Sequence, residues 1–204
     1  MKSSICKNIE AIAFDLDGTL YDEYDFVRQA YRSVSKVMSY EAGLDEEKLY
    51  KSLCRNWLLY GSSGNVFQMA FEEVNGCSLD EELLKKSVRE FRNADFELSL
   101  SQRTIDLLDA YRDYRKVIIT DGNSNLQRNK YNKLGLSKWI DEEDVFVSGD
   151  YGKEFYKPNP YMGNLVKERL GTEKIMYFGD RDIDRQFAQN TGFDFRLVKN
   201  MILV

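Results

Sequence analysis

The chain has 204 residues, of which 29 are Lys or Arg and 34 are Asp or Glu, so its formal net charge is −5. This mild acidity offers neither a basic surface for nucleic acid nor a polybasic segment for a membrane surface. Hydrophobic residues make up 43% of the chain, enough to bury the core of one domain or of a domain with an insertion. The composition predicts a globular protein without nucleic-acid or membrane partners.

Histidine is absent, which excludes Ser-His-Asp triads, Cys-His pairs and His-ligated zinc sites. A catalytic base must then be Asp, Glu, Lys, Tyr or Cys. The cysteines are Cys6, Cys54 and Cys77, and none of them forms a C-x-x-C pair. An odd number of cysteines, together with an N-terminus that lacks a signal-like apolar segment, is typical of reduced thiols. We therefore expect a cytoplasmic protein.

Short apolar runs predict the strands. They cover residues 9–14, 117–120, 145–148 and 175–178, with a weaker fifth run over 195–198 that continues over 201–204. Runs in which nearly every residue is apolar are typical of parallel strands that are buried on both faces.

The segment between residues 21 and 100 contains no such run and shows only helical periodicity. Four apolar stripes are separated by breaks at Gly43, at 61–64 and at 75–76. A capping box from Ser78 to Glu81 is expected to open the fourth helix. We interpret residues 21–100 as an all-helical domain of the four-helix-bundle type, inserted into a core formed by 1–20 and 101–204.

Strands and helices alternate from residue 101 onward. The helical stripes of this part comprise Leu107, Leu108 and Tyr111, then Leu126, Lys130 and Leu134, then Leu165, Val166 and Leu170. Gly135 and Gly171 are expected to end the second and third of these helices. The alternation predicts an α/β core with a doubly wound, mostly parallel, Rossmann-like sheet.

Two carboxylates follow the first predicted strand. Asp15 and Asp17 are two residues apart, so their side chains share a side if extended geometry persists. Neighbouring carboxylates repel each other unless a cation or a proton intervenes. An oxygen-only site without histidine favours a hard cation, with Mg²⁺ the leading candidate.

The other predicted strands also end in polar residues, which are Thr120, Asp121 and Gly122, then Lys157, then Asp180 and Asp184. A hydroxyl and free backbone N–H groups at the start of a helix form an anion site. Pro158 restricts the residue before it to extended geometry. Singly, each acid can merely cap a helix and Lys157 can be a surface residue. Together they belong where open α/β sheets bind ligands.

The order of these residues resembles the motifs of the haloacid dehalogenase superfamily. The segment Asp15-Leu16-Asp17-Gly18-Thr19-Leu20 is similar to the first motif, and Thr120 to the second. Lys157-Pro158 is similar to the third, and Gly179-Asp180 with Asp184 to the fourth. The resemblance covers residues 7–20 and 101–200, and the helical insertion resembles the cap that many members carry after the first motif.

The resemblance implies hydrolysis of a phosphate monoester through an aspartyl-phosphate. Asp15 would be the nucleophile. Asp17 would protonate the leaving alkoxide and then deprotonate the attacking water. The substrate would be a small phosphorylated metabolite, such as a sugar phosphate or a nucleotide.

The resemblance also assigns the binding groups. Mg²⁺ would be held by Asp15, Asp180 and the backbone carbonyl of Asp17. Asp184 would act at the metal site through water or by supporting Lys157. Lys157 and Thr120 would hold the phosphate oxygens, with Asp121 and Gly122 at the same anion site.

Three residues depart from the family pattern. Asp121 is an acid beside a phosphate site, so its charge must point away or bind a polar group of the substrate. Lys153 competes with Lys157 for the third motif, although Pro158 favours Lys157. Asp182 is an additional acid in the fourth motif.

The same residues are compatible with other functions. A phosphomutase of the β-phosphoglucomutase type would return the phosphate to a second sugar oxygen. A non-enzymatic phosphoacceptor of the response-regulator type also combines acids with Thr and Lys, but its acid pair is adjacent and it lacks the helical insertion. A dehalogenase is disfavoured because that branch lacks the second acid, here Asp17.

Overall fold

The apolar runs form the strands of one sheet in a computed structural model, which describes residues 9–199 and 202–203. The strands are β1 (Ala11–Phe14), β2 (Arg115–Thr120), β3 (Val145–Val147), β4 (Ile175–Gly179), β5 (Asp194–Lys199) and β6 (Ile202–Leu203). Their spatial order is β3-β2-β1-β4-β5-β6. Strands β1 to β5 are parallel to one another, which confirms the predicted mostly parallel α/β fold.

The end of the chain differs from the expectation. The fifth run was expected to continue over 201–204, but β5 ends at Lys199, and Ile202 and Leu203 pair antiparallel with it as β6. The chain therefore turns back on β5 instead of extending it. Residues 200, 201 and 204 lie outside the described residues, as do Cys6 and the N-terminal segment that bears on localisation. Cys54 and Cys77 are free thiols.

Helices cover both faces of the sheet. They are α5 (Gln102–Ala110), α6 (Ser124–Lys133), α7 (Tyr161–Leu170) and α8 (Asp182–Thr191). On one face, Ala13 and Val117 pack with Val166 of α7 and Phe187 of α8. On the other face Phe14 stacks on Phe178, with ring centroids 5.4 Å apart. Because neighbouring residues of a strand point to opposite faces, the wholly apolar β1 is buried on both.

The predicted cap segment forms four helices, α1 (Glu23–Ala42), α2 (Glu46–Tyr60), α3 (Val66–Asn75) and α4 (Glu81–Asn93). Residues Tyr24–Glu97 form one compact unit and the remaining described residues form another. Aromatic rings fill the helical unit, since Phe91 contacts Phe26, Tyr31 and Phe67 with centroids 5.1, 5.6 and 5.9 Å away. No helix in the described part of the chain combines the length and apolarity needed to cross a membrane.

The start of α4 corrects the expected capping box. Asp80, and not Ser78, is the N-cap residue, and its carboxylate accepts a hydrogen bond of 2.9 Å from the backbone N–H of Leu83. The backbone of Asp80 is extended directly before the helix, so its short side chain reaches the third N–H group of the helix. Glu81 is then the first helical residue.

The position of β1 determines where a ligand can bind. Phe14 is in register with Ile118 of β2 on one side and with Phe178 of β4 on the other. The strand order therefore reverses at β1, and parallel sheets bind ligands at the carboxyl ends of the strands beside such a reversal. Asp15, which follows Phe14, lies at this point.

Candidate active site

Lys157 joins the end of β1 to α8 inside the α/β unit. Its Nζ donates hydrogen bonds of 2.6 Å to Asp15 Oδ1, 2.6 Å to Asp184 Oδ1 and 3.0 Å to the hydroxyl of Tyr177. The Lys157 side chain is completely buried, and a buried charge is tolerated only when it is paired and hydrogen-bonded. Lys153 is exposed, so the structure brings Lys157, and not its competitor, to Asp15.

Three carboxylates lie together at the ends of β1 and β4. Oxygen atoms of Asp15, Asp180 and Asp184 all lie within 4.8 Å of one another. Oδ1 of Asp180 is buried and has no hydrogen-bond partner among the described residues. Gly18 (φ +76°) permits this packing, because a Cβ there would lie 2.4 Å from Asp180 Oδ2. The donor set and the unpartnered oxygen fit a hard cation such as Mg²⁺.

The electrostatics of the group also fit a cation. Burial raises the pKa of Asp15 to about 8, although Lys157 acts in the opposite direction. Burial likewise raises the pKa of Asp180 to about 6. Burial would also raise the pKa of Asp184, but Lys157 outweighs it and holds that pKa below its ordinary value. A divalent cation favours the ionised forms of its carboxylate ligands, so it would offset the effect of burial.

Asp17 belongs to a different network from Asp15. Its Oδ1 accepts a hydrogen bond of 2.7 Å from Lys130 Nζ and another from the Tyr21 hydroxyl, and its Oδ2 accepts one of 2.8 Å from Gln127 Nε2. Although burial opposes it, Lys130 lowers the pKa of Asp17. The expectation that Asp15 and Asp17 share a side required extended backbone, but β1 ends at Phe14.

The carboxylate of Asp17 is therefore not part of the acidic group formed by Asp15, Asp180 and Asp184. A role of Asp17 at the metal is restricted to its backbone carbonyl, as the family resemblance implies, and this stays a prediction. Asp184 was expected either at the metal site or in support of Lys157. It lies in the acidic group and also contacts Lys157.

The second motif is held by a side chain of α6 and by one that directly follows β3. Thr120 Oγ1 accepts a hydrogen bond of 3.0 Å from Gln127 Nε2. The Asp121 carboxylate accepts bonds of 2.7 Å from Ser148 Oγ and of 3.1 Å from the backbone N–H of Lys157. Of the two alternatives for Asp121, the carboxylate is thus directed to protein donors. The Asp121 carboxylate thus contacts the third motif through the backbone of Lys157, and a phosphate-binding role of Asp121 through its backbone stays a prediction.

Gly122 packs against the loop that follows β3. Its backbone φ is +129°, and a Cβ on Gly149 would lie 1.9 Å from the Gly122 carbonyl oxygen. Two glycines therefore allow the second-motif loop and the loop after β3 to touch. The predicted contact of Gly122 with a phosphate stays a prediction.

The sequence interpretation missed several side chains of this site, among them Gln127, Lys130, Tyr177 and Arg181. Lys130 could have been identified from the sequence, because it lies in one helical stripe with Leu126 and Leu134. In the structure it is as buried as these two leucines. Tyr177 lay within an apolar run, where nothing distinguished its hydroxyl. Arg181 Nε lies 3.8 Å from Asp180 Oδ1 and 4.0 Å from Asp184 Oδ2, and its place between these two acids in the sequence was the local signal for this contact.

Comparisons with known proteins give the family of the chain. Residues 9–192 match the model of the haloacid dehalogenase-like hydrolase family. The chain is 30% identical to the glyceraldehyde 3-phosphate phosphatase of Methanopyrus kandleri, over 90% of this chain and 81% of that protein. It is 31% identical to the enzyme of the same name from Methanocaldococcus jannaschii, over 90% and 82%.

A solved structure shares the fold. The HAD phosphatase of Thermococcus onnurineus superposes with a TM-score of 0.64 at 23% identity, covering 94% of this chain and 86% of that one. The family match extends over both the α/β core and the helical insertion. The resemblance noted in the sequence is therefore confirmed, and the chain belongs to the haloacid dehalogenase-like hydrolases.

Proposed function

We propose that this hydrolase is a Mg²⁺-dependent phosphatase that cleaves a small phosphate monoester through a phosphorylated Asp15. The arrangement that carries the proposal is the pairing of Asp15 with Lys157 at 2.6 Å beside the acidic group that includes Asp180. It combines a carboxylate nucleophile, a fixed positive charge for the phosphate and oxygen ligands for a cation. No histidine or thiol chemistry is needed.

The reaction proceeds in two displacements. In the first, a carboxylate oxygen of Asp15 forms a bond to phosphorus as the bond to the ester oxygen breaks, and Asp17 gives its proton to the leaving alkoxide. The negative charge of the bound phosphate would favour the protonated form of Asp17, which Lys130 disfavours. In the second, water attacks the same phosphorus, Asp17 takes a proton from that water, and the Asp15–phosphorus bond breaks. The nucleophile is thereby regenerated, and one difficult hydrolysis is divided into two easier steps.

The charges at the site oppose the repulsion between a carboxylate and a phosphate dianion. Lys157 and the hydroxyl of Thr120 would bind the non-bridging oxygens, and the backbone of residues 121–122 would contribute N–H groups. Mg²⁺, held by Asp15, Asp180 and the Asp17 carbonyl with Asp184 nearby, would neutralise charge on the phosphoryl group. These groups would bind the transferred phosphoryl group without contacting the rest of the substrate.

The substrate class is proposed from the relatives. Two archaeal proteins that match over most of this chain are named glyceraldehyde 3-phosphate phosphatases. We therefore favour a short sugar phosphate whose leaving group is an alkoxide. Nucleoside monophosphates are the second class to test.

The test is phosphate release from a panel of sugar phosphates, nucleoside monophosphates and p-nitrophenyl phosphate with MgCl₂. We expect turnover that a chelator abolishes and that added Mg²⁺ restores. Asp15→Asn should remove the activity, whereas Asp182→Asn, at a side chain that is 89% exposed in the same region, should retain it. A panel without turnover, or turnover indifferent to chelation, contradicts the proposal. Transfer of phosphate from a sugar bisphosphate to a second sugar oxygen would identify a mutase instead.

A further inference from the structure

Helix α6 directs two buried side chains to the Asp17 carboxylate. Gln127 and Lys130 are three residues apart, so they lie on the same face of the helix, and each is only 3% exposed. Lys130 binds Oδ1 of Asp17 at 2.7 Å, and Gln127 binds Oδ2 at 2.8 Å. The two donors therefore engage different oxygens of one carboxylate.

From these contacts we propose that Gln127 and Lys130 are positioning residues, which orient Asp17 for proton transfer to the leaving-group oxygen. The inference rests on the proposed phosphatase function. It concerns residues outside the four family motifs, in the helix that follows the second of them. Neither residue is proposed to touch the substrate.

Two features favour positioning over a purely structural pair. A carboxylate bound at one oxygen can still rotate about its terminal torsion, whereas donors on both oxygens, with the Tyr21 hydroxyl as a third, fix its plane. The Gln127 amide also donates to Thr120 Oγ1 at 3.0 Å and to the Asp121 carbonyl at 2.6 Å. One side chain therefore links the proton donor to the residues proposed to hold the phosphate.

Burial of the Lys130 charge costs free energy that an apolar residue at the same position would not. Replacement of a buried ion pair by apolar residues of similar volume is often neutral or stabilising. The position of Lys130 in a stripe with Leu126 and Leu134 would accept such a residue. Its charge is therefore better explained by what it does to Asp17 than by the packing of α6.

The test compares two leaving groups. An alkoxide requires protonation as it leaves, whereas p-nitrophenolate leaves readily without it. We would measure kcat/KM for D-glyceraldehyde 3-phosphate, or for the alkyl phosphate hydrolysed fastest in the panel, and for p-nitrophenyl phosphate. The ratio of the two values reports proton donation, and it does not change when part of a preparation is inactive, because both values fall equally.

Lys130→Met should lower the ratio of alkyl to aryl kcat/KM by about 10- to 100-fold, since misplacement of a general acid forfeits much of its contribution. Gln127→Met should shift the ratio in the same direction, and it provides a second measurement if Lys130→Met does not fold. Lys138→Met, at an exposed lysine after the same helix, should leave the ratio unchanged. Asp17→Asn gives the change in this ratio that complete loss of the proton donor causes.

The outcomes separate the two levels of inference. If Asp17→Asn does not change the ratio, the proposed role of Asp17 fails. If Asp17→Asn changes it but the folded Lys130 and Gln127 variants do not, or raise it, the positioning role is overturned and the pair is structural. A further fall in the ratio when Lys130→Met is added to Asp17→Asn would also overturn it, because a residue that acts through Asp17 cannot matter without it.

Discussion

Asp15, the proposed nucleophile, lies where a charge is costly. It is 1% exposed, and burial raises its pKa to about 8 while Lys157, 2.6 Å away, favours the ionised form. A carboxylate in this position can attack phosphorus only if further positive charge holds it ionised. The Oδ1 of Asp180 beside it, which has no hydrogen-bond partner among the described residues, marks where that charge would be bound.

The metal-free protein should lose stability as the pH rises. The pKa of Asp15 is raised to about 8, that of Glu23 to about 7 and that of Asp180 to about 6. Because these values lie above those of the unfolded chain, the folded state binds more protons between about pH 4 and pH 8, so deprotonation in that range favours unfolding. The free energy of unfolding in a chelator, measured with urea, should therefore be lower at pH 8 than at pH 5.5.

Addition of Mg²⁺ should reverse the trend, because the ionised carboxylates bind the cation and ligand binding to the folded state stabilises it. The increase in Tm on adding MgCl₂ should be larger at pH 8 than at pH 5.5. It should disappear in Asp180→Asn. An equal increase at both pH values, or one that Asp180→Asn retains, would show that the cation binds elsewhere.

The sequence allowed some of the site residues to be predicted and not others. Asp15 and Asp180 closely follow apolar runs and Lys157 lies a short distance after another, so their convergence follows from the topology of a parallel sheet. The direction of the Asp121 carboxylate depends on Ser148, 27 residues away. Contacts of that range are set by how two loops pack, which the local pattern does not encode.

Helices α7 and α8 approach each other closely because of one residue. A Cβ on Gly163 would lie 2.2 Å from Thr191 Cγ2 and 3.2 Å from Phe187 Cζ. The α8 helix carries Asp184, and α7 follows the third motif. The spacing of these two helices therefore contributes to the position of the Lys157 pairing.

Gly163→Ala should destabilise the protein by about 1–3 kcal/mol, the usual cost of adding a methyl group to a filled core. Urea unfolding would measure this. Thr191→Ser removes the nearest atom and should recover part of the loss when it is combined with Gly163→Ala. Glu168→Ala, at an exposed position of α7, provides the control. A stability of Gly163→Ala equal to that of the parent would show that the helices separate without cost.

At the level of elements, apolar runs located the strands well because buried parallel strands need an apolar residue on both faces. The first residues of helices were predicted less well than the strands. Both Ser78 and Asp80 are residues that cap helices, and the choice depends on backbone geometry at the cap. The antiparallel pairing of β6 with β5 was missed because an apolar run contains no signal for strand direction.

The molecule as a whole combines an α/β core with a helical unit, Tyr24–Glu97. The phosphoryl chemistry is proposed for motif residues of the core, whose order along the chain made the family recognisable. The sequence of the helical unit is similar to family caps only in type. Substrate choice is therefore proposed from the phosphatase relatives and tested by the panel.

The phosphorylation of Asp15 is tested most directly by trapping the protein during turnover. A substrate with a radiolabelled phosphate is mixed with the Mg²⁺-loaded protein, the reaction is quenched in acid within one turnover, and the labelled peptide is mapped by mass spectrometry. We expect an acid-stable, base-labile label on Asp15 that is absent from Asp15→Asn. Turnover with the label on another side chain, or with no covalent label at any quench time, would contradict the mechanism.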